Sequence, residues 1–300
     1  LRGKERPGDV DLRDADAAAE KYLRRTIRGL GSAMVALSGG LDSSLVAAIA
    51  GQELPGRVAA GTAVSPLFFE EDLLRAREVC RRFRVEHLEL QIDHLGFAEV
   101  AGNPPDRCYH CKRQTYGRFH ELQRLLGLEW LVDGSNADDL DDFRPGAKAA
   151  REFHVRSPLA ECGLGKNAVR ALSRRLGLPD PERPAMACFA SRFPYGSRIT
   201  AAGIERVKRA EALLREMGFR QVRLRDHGDV ARIEVETSSL SQALSRREEI
   251  VPAMLHLGYL YVCLDLMGYR TGSLNEGLGP AVTGPHEQDT KGERRERSGD

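Results

Sequence analysis

Short apolar runs alternate with amphipathic stretches along the first half of the chain, the pattern of parallel strands wrapped by helices. From Asp16 to Leu30, Ala19, Tyr22, Leu23 and Ile27 fall on one side and predict a helix. Ala33 to Leu37 is apolar without helical period and reads as a buried strand, followed by a glycine turn and a helix from Ser43 with Gly51 as its stop. Arg57 to Val64 predicts a second parallel strand, and Glu70 to Phe83 a helix with Cys80 in the core. The alternating segment Val85 to Ile92 is a third strand, Glu129 to Asp133 a fourth and Phe153 to Ser157 a fifth. A long helix opens at Cys108-Tyr109-His110-Cys111 and runs to about Leu126, and another covers Lys166 to Leu176.

A proline-rich break from Gly177 to Pro184 reads as a hinge. Beyond it, Thr200 can cap a helix from Ala201 to Met217 that ends at Gly218. Strands at Gln221 to Leu224 and Val230 to Val235, a helix near Ser239 to Leu257 and a strand at Tyr259 to Leu264 complete a small module. The expected fold class is therefore α/β: a five-stranded parallel sheet with flanking helices, plus a small C-terminal α+β domain. The expected domains are 15–182 for the first and 183–277 for the second, which carries Cys188, between charged and disordered ends at 1–14 and 278–300.

Composition narrows the classes. The chain has 300 residues, 41% hydrophobic and 30% charged, enough for a sizeable core. Its net charge of +1 gives no electrostatic case for nucleic acid or a membrane surface. No apolar run approaches bilayer length and the N-terminus lacks a signal-peptide core, so a cytoplasmic protein is expected. In that compartment its 6 cysteines stay reduced unless they bind metal.

The densest signal is Ser38-Gly39-Gly40-Leu41-Asp42-Ser43-Ser44 between a strand and a helix. Free N–H groups and the dipole at such a helix start attract phosphate, and Ser38, Ser43 and Ser44 add donors. The Lys-Ser/Thr of the common P-loop is missing. The string Ser-Gly-Gly-Leu-Asp-Ser resembles the PP-loop of the ATP pyrophosphatases, which implies cleavage of ATP between its α- and β-phosphates and adenylation of a substrate oxygen. Asp42 stands beside the phosphates, where it can hold Mg²⁺ or cap the helix. Ser65 follows the second strand, and Gly134, Asn136 and Asp138 follow the fourth, at the carboxyl edge where open α/β sheets bind ligands. The rest of the acidic cluster, Asp139, Asp141 and Asp142, reads as solvated or capping.

Cys108, Cys111 and Cys188 lie outside apolar periodic stretches. Zinc with His110 or Cys162, an iron–sulfur cluster, a redox dithiol and a lone nucleophile at Cys188 all remain open. Three thiolates would leave one iron of a [4Fe-4S] cluster open to hold sulfide. Asp133 to Asp139, Arg144-Pro145-Gly146, Val155 to Leu159, Gly177-Leu178-Pro179 and Pro184 to Gly196 together resemble the LarE family over roughly residues 15 to 277.

That resemblance implies an ATP-dependent sulfur transferase of nickel-pincer nucleotide biosynthesis. It adenylates a pyridinium carboxylate mononucleotide and converts it to a thiocarboxylate, taking sulfur from sulfide or another donor. The family uses either a sacrificial cysteine at the position of Cys188 or three cysteines holding a [4Fe-4S] cluster. The trio Cys108, Cys111 and Cys188 matches the latter. ATP and Mg²⁺ are implied, with Arg144 among the nucleotide-binding residues and Glu211 as a further metal residue. Arg223 and Arg225 alternate on one strand and so share a face; the resemblance gives them the substrate phosphate. A homo-oligomer is expected. Two rivals remain at this stage, a tRNA thiolation enzyme and a non-enzymatic nucleotide- or cluster-binding module.

Overall fold

The computed structural model describes residues 7–139, 145–183, 186–270 and 272–276. In chain order the first part comprises α1 (Pro7–Arg28), β1 (Ala33–Ala36), α2 (Leu41–Glu53), β2 (Val58–Val64), α3 (Glu70–Phe83) and β3 (Glu86–Gln91). Next come α4 (Ala98–Ala101), α5 (Arg107–Leu125), β4 (Trp130–Val132), α6 (Gly146–Glu152), α7 (Pro158–Glu161) and α8 (Lys166–Arg175). The remainder holds α9 (Ala201–Glu216), β5 (Val222–His227), β6 (Val230–Val235), α10 (Leu240–Ser245), α11 (Arg247–His256) and β7 (Tyr261–Leu264). By its contacts the chain divides into two compact units, Leu1–Arg209 and Ala210–Asp300, and Cys188 falls in the first with Cys108 and Cys111.

The first unit is built on a parallel sheet in the order β3-β2-β1-β4. Alternation along β1 sends Ala33 and Val35 to one face and Met34 to the other. The first face packs on Leu23 and Ile27 of α1, Leu45 and Ile49 of α2, and Val169 and Leu172 of α8. The second packs on Tyr116 and Phe119 of α5 and Ala149 of α6. Both faces are therefore covered, which is why these strands read as continuous apolar runs. Cys80 is buried in the first of these cores, and burial pushes its thiol up to about 12. From β1 the chain moves outward through β2 to β3, then returns to the other side of β1 for β4. The carboxyl ends of β1 and β4 therefore form the topological switch point, where such sheets open a ligand crevice.

The sheet has four strands where the sequence predicts five. Of the expected strand at Phe153 to Ser157, Arg156 alone bridges to the sheet, beside Val132. Phe153 ends α6, His154 takes a left-handed φ of 50°, and Pro158 starts α7. Too few extended residues remain between these ends to build a ladder. At the other end of the unit, α1 begins at Pro7, ahead of the expected Asp16; proline is compatible with a first helical turn because its missing N–H has no partner there.

The second unit pairs β5 antiparallel to β6, and β6 parallel to β7. Its buried residues include Leu214, Phe219, Leu224, Ile233, Ile250, Met254 and Tyr259. The single helix expected from Ser239 to Leu257 is broken at Arg246 into α10 and α11. No helix among the described residues is long and apolar enough to cross a membrane.

One buried group makes the first unit pH-sensitive. His94 is fully buried, and its Nε2 lies 3.0 Å from the Thr115 hydroxyl, which donates to the Cys111 carbonyl. Nε2 therefore carries the proton and donates to Thr115. Burial lowers the imidazole to about 4, against the opposing pull of Asp93. The unfolded chain takes up this proton near pH 6.5 and the folded chain only near 4. The stability due to neutral His94 is complete above pH 6.5, falls as pH drops to 4, and is flat below, a total of about 3 kcal/mol. His94→Gln keeps an N–H donor without the titration, so its urea midpoint is expected to lose that slope between pH 7 and 4.5. Parallel curves for the two proteins contradict the assignment.

Candidate active site

The turn after β1 is held by its own serines. Ser38 N–H donates to Ser43 Oγ at 3.1 Å, Gly40 N–H donates to Ser38 Oγ at 3.3 Å, and the Ser43 hydroxyl donates to the Gly40 carbonyl at 3.1 Å. Gly39 has φ +77°, and a side chain there would overlap the Asp72 carbonyl at the start of α3. Only glycine accommodates both the angle and the approach. On the β4 side, Gly134 packs so closely that a Cβ would stand 2.7 Å from Ser43 Cα. The turn is thus sandwiched between α3 and the exit of β4.

That exit is fixed by Asp133, which is 5% exposed. Its carboxylate accepts from Tyr116 Oη at 2.8 Å, Ser135 N–H at 3.0 Å, Ser135 Oγ at 2.8 Å and Ser157 Oγ at 2.7 Å. Burial, and then the Asp133 charge, hold the Tyr116 phenol well above its ordinary range, so it stays a donor. Beside the turn, Asn136 is fully buried and donates through Nδ2 to Asp42 at 3.3 Å, while among the described residues Asn136 Oδ1 is a buried acceptor with no hydrogen-bond partner.

A cavity of about 720 Å³ opens over this turn, within the usual size of a small-molecule site. Ser38, Gly39, Gly40, Asp42, Ser43, Ser44, Ser65, Gly134, Cys108, Cys111 and Cys188 all line it. Cys108 and Cys111 occupy the first turn of α5, three residues apart and so on one side of the helix. Cys188 stands at the head of a 3-10 turn, Phe189–Arg192. That segment is tied to the first unit by Phe189 N–H donating to the Leu67 carbonyl at 2.9 Å. The buried Arg192 donates to the carbonyls of Ala187 at 2.6 Å and Cys188 at 3.3 Å, with its guanidinium over the rings of Phe69 and Phe189. Burial pushes the Cys108 and Cys111 thiols upward; Cys188 adds to that and Arg107 opposes it.

Asn136 and Asp138 do not line the cavity. Asp138 instead accepts from the Lys166 N–H at 2.8 Å and caps α8, while its neighbour Asp139 faces the cavity. Arg144, Asp141 and Asp142 lie outside the described residues. Arg223, Arg225 and Glu211 belong to a buried network within the second unit. Arg225 Nε pairs with Glu234 at 2.8 Å, Arg223 donates to the Tyr269 hydroxyl at 2.7 Å, and the Glu211 carboxylate takes Leu224 N–H at 3.1 Å and Arg215 at 2.9 Å. Glu211 is therefore engaged as an acceptor for protein donors. Cys162 is drawn away from the other thiols: it packs on the core and donates to Thr26 Oγ1 at 3.4 Å. His110 pairs with Asp106. No group of three His, Cys, Asp or Glu side chains among the described residues is arranged to hold a metal ion.

The cavity also gathers cations that sequence reasoning missed: Arg107, Lys112, Lys166, Arg170 and Lys208. Lys166 and Arg170 are one helical turn apart on α8, a spacing visible in the sequence but without a local cue to what it faces. Lys208 lies over the Phe189 ring at 5.2 Å, next to Cys188 in the chain.

Residues 18–118 match the family model described as "Asparagine synthase". The pyridinium-3,5-bisthiocarboxylic acid mononucleotide synthase of Lactiplantibacillus plantarum is 36% identical over 264 residues, 87% of this chain and 95% of that protein. A Synechocystis protein, "Uncharacterized protein slr1717", is 41% identical over 258 residues, 85% of this chain and 96% of the other. The glutamine-hydrolysing GMP synthase of Brucella ovis is 30% identical over 208 residues, 59% of this chain and 36% of that enzyme.

Proposed function

The chain belongs to the LarE family, and from that premise we propose that it is an ATP-dependent sulfur transferase of nickel-pincer cofactor biosynthesis, acting on a pyridinium carboxylate mononucleotide. The observation that carries this reading is one cavity lined by both the Ser38–Ser44 turn and three cysteines. A generic nucleotide-binding module has no need of the thiols, and a tRNA thiolation enzyme calls for a basic surface that a net charge of +1 does not favour.

The chemistry has two halves. The N–H groups and hydroxyls of the turn receive the phosphates of ATP, with Lys166 and Arg170 in the cavity lining adding positive charge. A substrate carboxylate oxygen attacks the α-phosphorus, the bond between that phosphorus and the α–β bridging oxygen breaks, and pyrophosphate leaves. Asp42 is the residue that would hold Mg²⁺, and the unpartnered Asn136 Oδ1 beside it suits a cation or its water. When bound, Mg²⁺ neutralises phosphate charge. In the second half a sulfur nucleophile attacks the acyl carbon. The C–S bond forms, the C–O bond to AMP breaks, and the thiocarboxylate and AMP leave.

For the sulfur supply we favour a [4Fe-4S] cluster held by Cys108, Cys111 and Cys188. All three cysteines line the cavity, and Cys188 and Cys108 are near enough to Cys111 to raise its thiol; three thiolates would leave one iron of such a cluster without a protein ligand, which when bound would supply a place for exogenous sulfide. The protein's part is to hold the thiols beside the adenylation turn and to fix the Cys188 backbone through Arg192. The second reading, Cys188 as a consumed sulfur donor, draws on the same placement of Cys188 in the cavity. Substrate-dependent release of pyrophosphate with formation of a thiocarboxylate is expected. Pyrophosphate release with tRNA as the required acceptor would overturn the assignment of substrate.

A further inference from the structure

Arg107 is 4% exposed and, among the described residues, forms no ion pair with a carboxylate. A buried guanidinium without a counter-charge is costly, so such groups are paired in folded proteins. What surrounds this one is sulfur and carbonyl oxygen. One amino group donates to the Asn103 side-chain oxygen and to the Ala190 carbonyl at 3.2 Å, and the other lies 4.0 Å from Cys108 Sγ. An arginine guanidinium keeps its proton in proteins, so the charge persists in this buried position.

Asn103 extends the same connection. It is fully buried in a left-handed conformation, φ 55°, and donates through Nδ2 to the carbonyls of Phe193 at 3.1 Å and Pro194 at 2.7 Å. Its own carbonyl accepts Gly196 N–H at 2.9 Å. Arg107 in the first turn of α5, which carries Cys108 and Cys111, and Asn103 in the connection just before it therefore reach four backbone carbonyls or amides of the segment that follows Cys188.

We propose that Arg107 is a positioning residue that joins the Cys188 segment to the Cys108–Cys111 turn and supplies the fixed positive charge for an anionic sulfur group bound there. The inference rests on the sulfur-transfer reading for the nature of that group. It rests on the hydrogen bonds alone for the clamp. The two roles separate by substitution. Lysine keeps the charge but not the fork that reaches two sides at once. Methionine keeps much of the volume and loses both.

The test uses the full chain as wild type, Arg107→Lys and Arg107→Met. Arg118→Met removes a charge from the exposed face of the same helix and serves as control. In cluster-free protein, hydrogen exchange is followed over residues 187–196. Both Arg107 variants are expected to exchange faster there, Arg107→Met by about tenfold or more, the scale of one charged hydrogen bond. Arg118→Met is expected to match wild type. After anaerobic loading with iron and sulfide, the reduction potential is measured. Reduction adds negative charge, so losing the cation is expected to lower the potential in Arg107→Met, while Arg107→Lys stays near wild type.

Unchanged exchange in both Arg107 variants overturns the clamp, and an unchanged potential in Arg107→Met overturns the charge role. Where Arg107→Met fails to fold, the exchange rate of Arg107→Lys decides the clamp, and Arg107→Gln replaces it in the potential measurement. A wild-type protein that takes up no iron and sulfide refutes the charge role together with the cluster reading, while the exchange result still decides the clamp.

Discussion

Gly39→Ala is expected to abolish pyrophosphate release while leaving the parallel sheet intact. The residue sits at φ +77°, where a Cβ costs about 1 kcal/mol or more, and the added methyl would overlap the Asp72 carbonyl. Asp72 cannot step aside freely, because its side chain is held by Arg75 and by Arg183 at 3.2 Å. The glycine turn must move instead, carrying the Ser38 and Gly40 donors with it. A displacement of about 1 Å at a reacting centre costs roughly 100-fold in rate, and here it falls on the residues that receive the triphosphate. Pyrophosphate release measured with ATP and carboxylate substrate is expected to fall at least that far, with far-UV circular dichroism unchanged. A variant that releases pyrophosphate at the wild-type rate would show that the turn does not hold the triphosphate.

Cys188→Ala is expected to separate the two halves of the reaction. Adenylation draws on the turn, so ATP-dependent pyrophosphate release persists. Thiocarboxylate formation falls by about 10³-fold or more, the scale seen when a group that acts only in the transition state is removed. Cys108→Ser and Cys111→Ser are the informative companions. With three cysteines acting as one ligand set, each of these variants loses product formation as fully as Cys188→Ala does. With Cys188 acting alone as donor, both still make one thiocarboxylate per chain. Quantifying pyrophosphate and thiocarboxylate in parallel for the three variants distinguishes these outcomes.

The parts of the site legible in the sequence are those whose signal is local. The strand, two glycines and helix around Ser38–Ser44 declare a phosphate turn because their spacing is itself the geometry. Cys108 and Cys111 declare one helical face for the same reason. Cys188 could be connected to them only through resemblance, since the hydrogen bonds between its segment and the start of α5, from Arg107 to the Ala190 carbonyl and from Asn103 to the Phe193 carbonyl, join residues more than 80 positions apart and leave no local mark. Asp138 shows the limit of reading polar residues after a strand: a carboxylate there caps the next helix as readily as it meets a ligand, and here it caps α8. The missing fifth strand has a similar origin. Phe153 to Ser157 has strand-like composition, but the end of α6 and Pro158 leave Arg156 alone in register with the sheet. Lys166, Arg170 and Lys208 carry no local cue to what they face, because only the folding of α8 and α9 brings them to the cavity.

The central claim is that ATP-driven activation and renewable sulfur delivery meet in the cavity over the glycine turn. Its most direct test is an anaerobic reaction with the iron- and sulfide-loaded chain, excess sulfide, ATP and the pyridinium carboxylate mononucleotide, followed by counting thiocarboxylate per chain and weighing the intact protein. The account predicts more thiocarboxylate than protein, with the mass at residue 188 still that of cysteine. No more than one thiocarboxylate per chain, with dehydroalanine at residue 188, would contradict it.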